Sequence, residues 1–325
     1  MTKVAGREKK PVLPRPGGAL PDLFLLLLIL FLAESERLNL WMQHSLTLCA
    51  KVLIPSLFPF LILSDLILVS GAADRLGRLL GTPVKRLLGI SRESVSAVLL
   101  GMLCGFPIGA KMAISLYEEG RIGREETERL LPLCSIPSPA FLIGSAGVSL
   151  LGNRTVGILL YGINVLSACL VCLFGRLAAK IEPCTESPHP CHAHRLGAAQ
   201  ITQAITGSVQ SMFGICAFVL AFSCVIRLLE LLLTRLPFVT PPFVQGLLFG
   251  ILELTSGMSA AASLPRGLSF LACAIISGWS GLSVLAQIVS LSSTRPLSFR
   301  PYLLSKIMAT ALNALLAGLL SVCFS

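Results

Sequence analysis

The stretch LLGMLCGFPIGAKM, residues 99–112, aligns with LFGILELTSGMSAA, residues 248–261. Each is an apolar run interrupted near its middle by small and polar residues. Three further pairs flank them in the same order. FLILSDLIL (60–68) pairs with FVLAFSCVI (218–226), and CSIPSPAFLIG (134–144) with CAIISGWSGLS (273–283). INVLSACLVCLF (163–174) pairs with LNALLAGLLSVCF (312–324), which sets Asn164 opposite Asn313. One weak match means little, but four in a constant order indicate an internal repeat. The chain then divides into a basic N-terminus with a first span (1–45), a first repeat (46–175), a polar linker (176–203) and a second repeat (204–325).

These runs are membrane material. Of 325 residues, 54% are apolar and 13% charged, and the mean hydropathy is +0.83. Soluble domains carry about a quarter charged residues, so this chain lacks the charge to cover a water-facing surface. A bilayer core about 30 Å thick asks for about 20 apolar residues per helix. Long candidates are 46–70, 130–151, 155–176, 209–233, 266–291 and 302–324, and an apolar run at 20–33 supplies an extra N-terminal helix. The basic residues before that run resemble a signal peptide, but Glu34, Ser35 and Glu36 follow it with no small-residue cleavage site, so an uncleaved span is expected. The net charge of +10 does not point to nucleic acid, because Lys and Arg lie between apolar runs without interleaved aromatics. The 11 cysteines fall mostly inside apolar runs, where a thiol acts as a small hydrophobe, and no disulfide framework is expected.

The two interrupted segments, 95–111 and 244–262, decide the topology. If both are re-entrant hairpins, each half has three spans and the halves are inverted. The loops 1–19, 71–94, 112–129, 176–203 and 294–306 then lie inside and carry 19 Lys or Arg against 5 outside, with Lys51 and Lys111 at membrane depth. The positive-inside rule favours this arrangement. The expected fold is an all-α polytopic membrane protein, built as an inverted-repeat transporter with two broken hairpin segments.

Broken helices expose backbone groups that only protein or a watery cavity can satisfy, and in secondary transporters they hold the substrate. Gly105, Phe106, Pro107 and Gly109 form the first break, and Glu253, Thr255, Ser256 and Gly257 the second. Ser135, Ser138 and Ser280 lie at breaks in the third segment of each half, and Gln287 follows the last of these. Each serine could instead serve close helix packing. Lys111 is a cation for an anionic substrate or a lysine snorkelling to the interface. Glu253 could accept a coupling proton or sodium ion, hydrogen-bond a substrate, or be a satisfied structural acid. The tract EPCTESPHPCHAH (182–194) holds three of the four histidines, but its spacing matches no zinc module, so it reads as a polar linker. No Walker A loop, HExxH or GxSxG is present, so neither an enzyme nor a nucleotide-driven pump is expected, and no cofactor or metal.

The run LGMLCGFPIGAKMAISLYEEGRI, the ELTSG at 253–257 and GLSVLAQ at 281–287 resemble the sporulation integral membrane proteins of endospore-forming bacteria. That family carries the Gate, or nucleoside-recognition, domain and is distantly similar to concentrative nucleoside transporters. The resemblance implies a transporter of spore formation, in the cell membrane or outer forespore membrane, with dipicolinate as the small anionic substrate. Where family members typically carry NSSNP, this chain has CSIPSP, which keeps Ser135, Ser138 and Pro139 without the amides. The alternatives are a nucleoside or nucleobase carrier, and a non-transporting assembly or sensing protein.

Overall fold

The computed structural model describes residues 19–72, 75, 88–178, 197–234, 241–292 and 297–321. All regular structure among them is helical. The chain divides into two compact units, Met1–Trp41 and Met42–Ser325. The first contains α1 (Ala19–Ala33) and the start of α2 (Ser35–Leu48). Most of its leucines are exposed, Leu32 at 69%, as expected of an apolar helix with lipid for solvent.

In the second unit a π-wound stretch, Cys49–Leu53, leads into α3 (Ile54–Val69). Next come α4 (Arg92–Cys104), α5 (Ile108–Glu118), α6 (Arg124–Cys134), the π-wound α7 (Ala140–Leu150) and α8 (Arg154–Ala178). The same order returns as α9 (Ala198–Thr234), α10 (Pro242–Leu252), α11 (Leu254–Ala262), α12 (Arg266–Trp279), α13 (Leu282–Leu291) and α14 (Arg300–Ser321). Among the described residues, four stretches are long and apolar enough to cross a membrane: Arg154–Arg176, Ala198–Thr234, Arg266–Leu291 and Arg300–Ser321. Large apolar side chains face outward, such as Phe213 at 73% exposure and Leu319 at 67%, whereas Ser64, Ser135, Ser277 and Asn313 are fully buried. Polar inside and apolar outside is the distribution a lipid solvent imposes. The chain is an all-α polytopic membrane protein.

Both interrupted segments are helical hairpins whose arms pack closely: α4 on α5, and α10 on α11. Glycines allow the approach. A Cβ on Gly109 would overlap the Gly101 Cα and the Cys134 carbonyl, and a Cβ on Gly257 would overlap the Gly250 Cα. Gly101 and Gly250 are aligned in the repeat, so each hairpin closes at the same place. Hairpin α4–α5 runs beyond the expected segment, because residues 112–118 are helix and Met112, Ala113, Ile114 and Leu116 are buried. The loop expected at 112–129 is therefore short, since α6 already starts at Arg124.

Corresponding elements of the two halves meet. α3 packs on α9, and α8 on α14. The cross-contacts are reciprocal, α8 with α12 and α14 with α6. Asn164 and Asn313 touch directly, Asn313 Nδ2 donating to Asn164 Oδ1 at 3.2 Å. Self-complementary contact between equivalent residues is what a twofold relation generates. If the hairpins do not cross the membrane, reporter tags at Arg121 and Glu186 should map to one face and a tag at Arg154 to the other. A tag at Arg121 on the face of Arg154 would contradict the inverted arrangement.

Candidate functional site

The first break is a docking point. Gly105 has φ +77, and a Cβ there would lie 2.6 Å from the Ser138 nitrogen. The Phe106 N–H donates to the Ile136 carbonyl at 3.2 Å. The turn of the first hairpin thus sits on the 135–139 break between α6 and α7. In the second half the relation recurs. Gly281 has φ +91, and a Cβ there would lie 3.0 Å from the Leu254 nitrogen. Trp279 Nε1 donates to the Ile251 carbonyl at 3.0 Å. Ser280 beside it adopts φ +72, a left-handed conformation that a non-glycine residue takes only when its surroundings impose it.

Glu253 shapes the second break. Its backbone is extended, and its carboxylate accepts from the Thr255 N–H at 2.9 Å and the Ser256 N–H at 2.7 Å. It caps α11 from inside the protein, at 2% exposure.

The breaks of both halves open on one cavity, with about 430 Å³ of space free of protein atoms, part of it open to the surroundings. Phe106 and Ser138 come from the first half, and Glu253, Thr255, Ser283 and Gln287 from the second. Leu57, Phe141 and Val219 are among its apolar walls. Gln287 is 4% exposed, and its Oε1 lacks a hydrogen-bond partner. A buried acceptor left open costs about 1–3 kcal/mol, so Gln287 is poised for a donor inside the cavity.

Five residues singled out in the sequence therefore converge: Phe106, Ser138, Glu253, Thr255 and Gln287. Gly105, Pro107, Gly109 and Gly257 shape the hairpins, and Ser256 gives its N–H to Glu253. Ser135 and Ser280 lie off this cavity and meet at another side chain, Lys306. Lys111 is not brought to the cavity either. Its Nζ donates to Asp65 Oδ1 at 3.0 Å and Oδ2 at 3.2 Å, and Asp65 Oδ2 also accepts from Ser208 Oγ at 3.0 Å. This network ties α5 to α3 and α9, so the charge of Lys111 is already matched within the protein. Lys51, its companion in the sequence reading, is exposed and outside the cavity. Removing one ion-pair partner strands the other. Lys111→Met should lower stability by about 1–2 kcal/mol, because the pair is only partly buried, and adding Asp65→Asn should recover most of the loss. Thermal unfolding of the single and double variants checks this.

The sequence reading passed over Lys306 as the end of an inside loop. Instead it lies in α14 at 3% exposure, and its Nζ donates to the Ser135 carbonyl at 2.6 Å and to Ser280 Oγ at 3.0 Å. Its signal was present, since it sits within the apolar run 302–324. It borders a second, small cavity, part of whose roughly 390 Å³ of atom-free space is open to the surroundings, together with Arg129 and Asn164. Glu126 is likewise buried, accepting from the Ser91 N–H and Ser94 Oγ, both at 2.6 Å, which fastens α6 to the start of α4. Among the described residues no His, Cys, Asp or Glu cluster could hold a metal, and the tract 182–194 lies outside them.

Residues 50–179 match the Gate family, described as nucleoside recognition. Over 324 aligned residues the chain is 27% identical to the sporulation integral membrane protein YlbJ of Bacillus subtilis (strain 168), covering 89% of this chain and 77% of that protein. No solved structure matches the chain. The chain is thus an all-α integral membrane protein whose first repeat is similar to the Gate family and whose length is for the most part similar to a sporulation integral membrane protein.

Proposed function

We propose that this protein is a secondary transporter or facilitator of a small metabolite in spore formation, and that it performs no catalysis. Two repeats, 46–175 and 204–325, form inverted halves around the cavity where their breaks converge. One observation carries this reading. Phe106 and Ser138 of one half face Glu253, Thr255, Ser283 and Gln287 of the other across a buried polar cavity. Broken helices meeting between related halves are where secondary transporters bind solute, and the acid there is suited to a coupling proton or sodium ion.

The first substrate is a small anion, with dipicolinate the foremost candidate. The sporulation relative supports a role in spore formation alone. The second is a nucleoside or nucleobase. The Gate match supports it, as does a cavity presenting the acceptors of Glu253 and Gln287 to N–H or O–H donors. Uptake of labelled dipicolinate and labelled uridine into proteoliposomes tests both. Saturable uptake of either solute, competed by its unlabelled form, is the expected result. No uptake of either would favour a non-transporting assembly or sensing role.

A further inference from the structure

The second cavity lies apart from the Glu253–Gln287 cavity, between α6, α8, α12 and α14. Two cations border it. Lys306 is 3% exposed, and its ammonium has only neutral oxygen partners, the Ser135 carbonyl and Ser280 Oγ. The Tyr302 ring adds a weak contact, its centroid 5.7 Å from Nζ. An ammonium carries three donors, so one is left over. Arg129 borders the cavity too, and its Nε donates to the Glu125 carbonyl at 3.3 Å. Neither cation has a carboxylate within ion-pair distance among the described residues.

Two of the three acids of α6 are engaged elsewhere, and the third, Glu125, meets Arg129 through its backbone carbonyl. Glu126 accepts from Ser91 and Ser94. Glu128 accepts from Arg124 Nε at 2.8 Å and from the Ser298 N–H at 2.7 Å. A buried cation without a counter-charge is costly, and proteins keep one at membrane depth chiefly for function. The repeat adds a second argument. The position equivalent to Lys306 in the first half is Gly157, whose missing Cβ lets the helix approach the Leu142 carbonyl. Helix packing at this position is met by glycine, and the lysine is an addition to one half alone.

We propose that this cavity binds a small organic carboxylate, whose oxygens take hydrogen bonds from Lys306 Nζ and the Arg129 guanidinium. Charge-assisted bonds from two cations suit a carboxylate. Leu133, Ile136 and Val171 give the cavity apolar walls for the organic body, the usual division of labour in a ligand pocket. The site stands whether or not the Glu253 cavity carries a transported solute.

Titration calorimetry on the purified full chain in detergent tests it, with benzoate as the probe and benzamide as its neutral counterpart. Benzoate should bind and benzamide should not. Lys306→Met and Arg129→Gln should each weaken benzoate at least about tenfold, and Lys111→Met should leave it unchanged. Arg129 is partly exposed, so Arg129→Gln decides the matter alone if Lys306→Met does not fold. No benzoate binding, equal binding of benzamide, or unchanged benzoate affinity in Arg129→Gln would overturn the site. A loss in Lys111→Met as large as in the other two would also overturn it.

Discussion

Replacing Gly257 with valine is expected to leave little or no folded protein in the membrane. The Cβ would meet backbone, the Gly250 Cα and nitrogen, with the Gly246 carbonyl 3.2 Å away. No flexible side chain can swing aside there. Overpacking a core costs about 1–3 kcal/mol where neighbours can relax. Here two helix backbones must part, and the second hairpin loses the contact that closes it. Gly109→Val should behave alike, because its Cβ would strike the Gly101 Cα and the Cys134 carbonyl. Gly144→Ala and Gly267→Ala provide the contrast, since nothing lies within 4 Å of a Cβ at either position. Size-exclusion profiles of detergent extracts, followed by thermal unfolding, should show the valine variants aggregated or absent and the alanine variants like the parent.

The second large effect is on uptake. Glu253→Gln should reduce the initial rate at least about tenfold, the equivalent of one charge-assisted hydrogen bond, while expression stays near the parent level. The amide keeps one oxygen, so it can still accept from the Thr255 or the Ser256 N–H. What it loses is the charge and the capacity to take up a proton. If Glu253 takes the coupling proton, the pH dependence of uptake should flatten in this variant. Glu253→Ala should fall further, because it strands two buried N–H donors at about 1–3 kcal/mol each. The two variants thus separate transport from folding by degree, the first stranding one N–H and losing much rate for a modest drop in melting temperature, the second stranding both and melting lower still.

The fold was largely legible because its signals are local. Apolar run length gave the long helices, and GFPIGA and ELTSG announced the two turns through glycine, proline and polar residues in apolar surroundings. The repeat put Asn164 opposite Asn313, and the structure joins them at 3.2 Å. The cavity was legible for a related reason. The breaks at Phe106, Ser138, Glu253 and Thr255 are where helical backbone is interrupted, and interrupted backbone must face protein or a cavity. Charge pairing was not legible. Lys111 finds Asp65 at 46 positions' separation and Asp65 finds Ser208 across another helix, so nothing in the run 99–112 reveals that its cation is already matched. Lys306 was missed because charge at the edge of an apolar run looks like loop charge. Only the packing of α14 against the breaks at Ser135 and Ser280 shows that it is inside.

In the proposed transport the solute sits in the cavity between the two halves and not at the cation next to the first turn. Equilibrium binding of the solute identified by uptake, compared between Gln287→Ala and Lys111→Met, tests this most directly. Gln287 lines the cavity with an open acceptor, and Lys111 is held by Asp65 outside it. Binding should weaken at least about tenfold in Gln287→Ala and stay within about twofold of the parent in Lys111→Met. Loss of binding in Lys111→Met with Gln287→Ala unaffected would contradict the account and place the solute at the lysine.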